Sequence, residues 1–153
     1  MKKIFNMSNL KVERILADLK RLGYRRTRPR QSVLQVLMEA DGCLRPEEIH
    51  ARARHYCSTL GLVTVYRTLS LLSEMDHIRR VHREDGCHSY ARTELAHGHH
   101  LICRDCYQVI EFPGLDNMST LIDPIARETG FLVEDHMLEL VGLCPACQEK
   151  VEA

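Results

Sequence analysis

The chain has 153 residues, 44% of them hydrophobic, with 21 basic and 21 acidic side chains, which suits one globular domain or two small ones. No apolar run reaches the roughly 18–20 residues needed to span a bilayer. Polar Asn6, Ser8 and Asn9 follow the basic start where a secretory core would be apolar, so the chain reads as cytoplasmic, with its thiols reduced. Seven cysteines also cannot all pair with one another, which favours metal ligation over a disulfide framework.

The zero net charge hides a division. Residues 1–83 carry 17 Lys and Arg against 8 Asp and Glu, and residues 84–153 carry 4 against 13. A basic front half fits a polyanion such as DNA. An acidic back half rich in His and Cys fits cations.

In chain order, Ser8 caps a helix running to about Leu22. Its apolar stripe is Leu10, Ile15, Leu16, Leu19 and Leu22, and Gly23 stops it. Tyr24 to Arg30 is a basic loop. Thr27 caps a second helix reaching Glu39, with Pro29 in its first turn and Val33, Leu34, Val36 and Leu37 inward. Pro46-Glu47-Glu48 opens a third helix. A fourth runs from about Val63 to Met75, with Val65, Leu69 and Leu72 inward. Ile78 to His82 and Ser89 to Arg92 alternate about a Glu84-Asp85-Gly86 turn and predict a β-hairpin. Together these segments form a winged helix-turn-helix.

Beyond a hinge, His100–Arg104 and Gln108–Phe112 are predicted strands. Asn117–Thr129 is a predicted helix that Pro124 must start or kink, ended by Gly130, and Phe131–Val141 is a predicted strand. The expected fold class is α+β. The domains are residues 1–92 (winged helix), 93–98 (hinge) and 99–153 (a small α/β domain for metal binding and dimerisation).

Two Cys-x-x-Cys pairs, Cys103/Cys106 and Cys144/Cys147, carry the strongest signal. Four thiolates in two such knuckles make a closed tetrahedral zinc site, and the ion contributes folding energy to a domain too small for a large core. A redox dithiol would need a thioredoxin-like βαβ context, which is missing. The closed site has no vacancy for the neighbouring histidines. His97 and His99 share one face of an extended segment and His100 takes the other. His97 and His99, with a carboxylate and His136, would form a mixed nitrogen–oxygen site suited to an exchangeable Zn²⁺, Fe²⁺, Mn²⁺ or Ni²⁺. Cys57 reads as a small buried hydrophobe, while Cys87-His88 lies near the hinge as a further ligand candidate.

The fourth helix offers Thr64, Tyr66, Arg67 and Thr68 outward for base and phosphate contacts. Arg25, Arg26, Arg28 and Arg30 suit the DNA backbone or an A/T-rich minor groove.

Gly-Leu-Val-Thr-Val-Tyr-Arg-Thr-Leu at 61–69, His-Gly-His-His-Leu-Ile-Cys-Arg-Asp-Cys at 97–106, Val-Ile-Glu-Phe at 109–112 and Gly-Leu-Cys-Pro-Ala-Cys at 142–147 resemble the ferric uptake regulator (Fur) family. The resemblance runs from about Leu10 to Cys147. It implies a homodimeric, metal-dependent repressor, not an enzyme, that binds a palindromic A/T-rich operator and controls metal-uptake genes. It also implies structural zinc on Cys103, Cys106, Cys144 and Cys147, and regulatory Zn²⁺ or Fe²⁺ on His97, His99, Asp116 and His136. His100 and Glu111 match a second regulatory site. Gly98, Cys43 and Ala91 or Arg92 stand where that site usually has ligands, so it is either lost or rebuilt with Cys43, Cys87 or His88. Tyr66 and Arg67 match the pair contacting bases and phosphates, and Arg25 a minor-groove residue. A peroxide sensor of the same family is the alternative, with a metal-storage or chaperone protein behind it. The latter would leave the basic half without a purpose.

Overall fold

The computed structural model describes residues 7–82, 87–94, 98–114 and 118–151. It divides into two compact units, Met1–Thr93 and Glu94–Ala153. No helix among the described residues is long and apolar enough to cross a membrane.

The first unit contains α1 (Met7–Arg21), α2 (Arg28–Glu39), α3 (Pro46–Ala53), α4 (Leu62–Glu74) and the antiparallel pair β1 (Ile78–His82) and β2 (His88–Arg92). Its helix starts follow local chemistry. The Thr27 hydroxyl accepts the Arg30 N–H at 3.4 Å with Pro29 in the first turn, and the Glu48 carboxylate accepts the Arg45 N–H at 2.7 Å ahead of Pro46. Gly23, at φ 86°, takes the left-handed conformation that ends α1.

Val12, Leu16 and Leu19 of α1, Val33, Leu34 and Leu37 of α2, Ile49 of α3, and Val65, Leu69 and Leu72 of α4 all fall inside one buried cluster. Leu10 and Leu22 do not join it. They are 51% and 62% exposed, and Val12 is buried instead. Leu10 lies on the far side of α1 from the 12-15-16-19 stripe, and Leu22 lies beyond the helix end. The hairpin is tied to the helices at its base. Leu44 and Tyr90 exchange backbone hydrogen bonds at 3.0 and 2.8 Å, and the Arg92 guanidinium donates to the carbonyls of Met38 and Ala40 at the end of α2.

The second unit holds β3 (Gly98–Cys103), β4 (Val109–Pro113), α5 (Ser119–Thr129), β5 (Glu139–Gly142) and α6 (Pro145–Val151). The sheet order is β4-β3-β5, with β3 antiparallel to β4 and parallel to β5. Pro124 lies inside α5, and Gly130 at φ 74° closes it. The strand expected over residues 131–141 is only four residues long, 139–142. β5 pairs with β3 from His100↔Glu139 onward, so residues before about 137 would lie opposite positions ahead of β3, which begins at Gly98. The closing Cys-x-x-Cys opens a helix not anticipated from the sequence. The Cys144 carbonyl accepts the N–H groups of Cys147 and Gln148, both at 2.9 Å, with Pro145 in the first turn.

Candidate metal centres and nucleic-acid interface

The four cysteines come from two places. β3 ends at Cys103 and a tight turn carries Cys106. β5 ends just before Cys144, and α6 carries Cys147. The Arg104 N–H donates to the Gly142 carbonyl at 2.9 Å, which fastens the two knuckles together. All four sulfurs lie within 4.8 Å of one another, and Cys106 Sγ is 3.7 Å from Cys144 Sγ. A tetrahedral zinc with bonds of about 2.3 Å sets its sulfurs about 3.8 Å apart. The cage therefore has the dimensions of the ion, and it is suited to structural zinc.

Its electrostatics agree. The Cys106 backbone N–H, helped by those of Cys144 and Asp105, brings the Cys103 thiol down to about 6. Hydrogen bonding with Cys144, burial and the Cys103 charge push the Cys147 thiol up to about 12. One negative charge is favoured among the thiols and a further one is opposed, a conflict that a cation at the centre removes.

His99 and His100 take opposite faces of β3 and are 1% and 0% exposed. The His99 ring centre is 5.2 Å from that of His136 and 5.6 Å from that of Phe112. Two imidazoles bound to one tetrahedral ion at about 2.1 Å have ring centres roughly 5 Å apart. Of the four expected ligands, the structure thus brings His99 and His136 together. His97 and Asp116 lie outside the described residues.

On the other face, His100 is in register with Glu111 on β4 and Glu139 on β5. The Glu111 carboxylate accepts the Glu94 N–H at 2.6 Å and fills the space beside Gly98, where an added Cβ would run into Glu111 Oε1. Glu139 was missed by sequence reasoning. Its signal was a lone acid in the apolar run Met137-Leu138-Glu139-Leu140-Val141. Cys43 and Cys57 are buried and Cys87 is exposed.

On α4, Tyr66 and Arg67 face solvent and Thr64 is half-buried. Thr68 does not face outward as expected. It is 2% exposed, and its hydroxyl donates to the Thr64 carbonyl at 2.7 Å. The neighbouring Leu69 and Leu72 set the buried face of α4, and position 68 falls on its edge. The Tyr66 hydroxyl donates to Glu47 Oε1 at 2.9 Å, so α3 orients it. In the basic loop, Arg25 is exposed, and its carbonyl accepts from Arg30. Arg26 forms an exposed ion pair with Glu13 on α1. Its guanidinium donates to both Glu13 oxygens at 2.7 and 2.6 Å.

The molecule thus joins a winged helix to a small α/β unit closed by four thiols. Residues 21–141 match the model of the ferric uptake regulator family. The ferric uptake regulation protein of Shigella flexneri is 35% identical over 138 residues, covering 88% of this chain and 93% of that one. A zinc uptake regulator solved in complex with zinc and DNA superposes with a TM-score of 0.77 at 23% identity, covering 95% of this chain and 98% of that one. The Helicobacter pylori ferric uptake regulator, solved with three functional metal binding sites, gives 0.65 at 24% identity, covering 97% of each chain. Those two likenesses are likenesses of fold. The chain belongs to the ferric uptake regulator family. It is a metal-responsive, DNA-binding transcriptional regulator and not an enzyme.

Proposed function

We propose that the chain is a homodimeric, cytoplasmic repressor that reads an A/T-rich palindromic operator when an exchangeable zinc ion is bound. Cys103, Cys106, Cys144 and Cys147 would hold a permanent structural zinc. His97, His99, Asp116 and His136 would hold the exchangeable ion, which supplies a crosslink between side chains from separate segments of the second unit. The observation that carries this reading is the His99–His136 pair, two imidazoles at the ring spacing of a shared ion. Three imidazoles to one carboxylate favour zinc over iron.

The residues of the chain divide the remaining work. By sequence His97 falls in the expected hinge of residues 93–98, and engaging it would restrain that segment. Tyr66 and Arg67 supply base and phosphate contacts, Thr64 stands beside them, and Arg25 suits a narrow A/T minor groove. Two-fold symmetry of the protein asks for a palindrome. Exposed Ile110, Leu121, Ile125, Phe131, Leu132 and Val141 supply apolar area for the dimer. His100 and Glu111, with Glu139 alongside, read as the remnant of a second site. Gly98 contributes no donor there, and Glu111 is engaged by the Glu94 N–H.

The test is operator binding titrated with Zn²⁺ and with Fe²⁺ at buffered free concentrations and fixed salt. The protein should already hold its sulfur-bound zinc. The unmodified protein should tighten on DNA at lower free zinc than any iron level that works. His99→Ala/His136→Ala should lose at least tenfold of the metal-induced gain. Full metal-induced binding by that variant would overturn the assignment.

A further inference from the structure

We propose that the β1–β2 hairpin carries a second exchangeable zinc site, formed by the cross-strand pair His82 and His88. His82 belongs to none of the sets described above and His88 entered them only as a candidate for a rebuilt second site; the inference rests on neither set.

Backbone register comes first. His82 and His88 are direct partners at the end of the ladder, where the two strands enter their connection. Side chains of such a pair leave the sheet on the same face, with Cβ atoms roughly 5 Å apart. Their ring centres are 5.3 Å apart and the rings stand at 86° to each other. That distance matches the roughly 5 Å expected for two imidazoles sharing one tetrahedral ion. It also matches the 5.2 Å of His99 and His136 in the other unit.

The pair is preset rather than assembled on demand. On the opposite face of the hairpin Val81 and Ser89 are fully buried, and Tyr90 exchanges backbone hydrogen bonds with Leu44. The strands that carry the two histidines are therefore fixed by the unit's core. His82 faces solvent, and His88 is half-buried with its Nδ1 atom shielded from solvent. The Nδ1 atom of His88 has no hydrogen-bond partner among the described residues. Desolvation, followed by the charges of Arg80 and His82, lowers the pKa of His88 and keeps the ring neutral, the form that ligates a metal. Arg80, on the same face, opposes a cation, but it is exposed and screened.

Two imidazoles leave two coordination positions for water. The site should therefore be weaker than the four-thiolate cage and should exchange freely. A bound ion would join β1 to β2 at their open end and add two positive charges to a face that already carries Arg80.

The test uses the full chain with its sulfur-bound zinc, carrying His99→Ala/His136→Ala and labelled with ¹⁵N at histidine. On adding Zn²⁺ alone, the ring nitrogen signals of His82 and His88 should shift together. His82→Gln, at an exposed position, should abolish the shift at His88, and circular dichroism should show the fold retained. Two outcomes would overturn the proposal. One is ring signals that stay in place throughout the titration. The other is a His88 shift that persists in His82→Gln, since that means a lone histidine binds the ion.

Discussion

The two units are held together by different physics. The first has a continuous buried cluster drawn from all four helices and the start of β1. In the second, the buried hydrophobic positions among the described residues are Ile102, Cys103 and Cys147, joined by His99 and His100. None of the residues of α5 is buried, and Leu121 and Ile125 remain 54% and 50% exposed. Hydrophobic burial is the main cohesion of the first unit. The second must draw its stability from metal ligation and from covering its apolar surface. Sensing fits the second kind of unit, because structure that depends on an ion responds to the ion.

The sharpest way to break this contrast is to remove the thiol cage. Cys103→Ser, or zinc stripped by a strong chelator, should abolish the cooperative melting of the second unit and leave the first intact. Structural zinc contributes on the order of 10–16 kcal/mol in small domains, far more than so small a core can replace. Hydrogen exchange resolved by residue reads the outcome. Equal loss of protection in both units would end the contrast.

A smaller effect should run the other way. Ile49 is fully buried in the first unit, and Ile49→Ala should cost about 2–5 kcal/mol there. Denaturant unfolding should show the first transition moving while zinc content and the second unit's protection stay unchanged.

The smallest effect is one of pH. His77, after α4, has its pKa lowered from 6.5, mainly by desolvation, with Asp18 and Asp76 opposing that shift and Arg14 adding to it. The unfolded state therefore binds the proton more readily than the folded state. The contribution is complete above the unfolded value of 6.5 and is lost as pH falls through that value and the lower folded one. Between pH 7 and pH 5 the first unit should lose stability, and His77→Asn should flatten part of that slope in denaturant titrations. A slope unchanged by the substitution would assign the pH response to other groups.

Much of this was legible in the chain itself. Thr27 with Pro29 and Pro46 with Glu48 mark helix starts through local hydrogen bonding, and they lie where those signals put them. The cysteine knuckles were readable because ligand spacing is a local property of the chain. The misreadings share one cause. Leu10, Thr68 and residues 131–138 were assigned from pattern alone, while their burial and pairing depend on which other segments arrive beside them. The turn expected at Glu84-Asp85-Gly86 lies outside the described residues.

The order of elements, the division of charge, the four-thiolate motif and the family all follow from residue types and their spacing, because capping, turn chemistry and ligand reach act over a few residues. The rows across the sheets were decided by tertiary structure. His100 between Glu111 and Glu139, His99 against His136, and His82 opposite His88 each depend on strand register or chain return. One residue of slip would turn a strand's side chains to the other face, and a register of that kind is set by the packing of the whole unit.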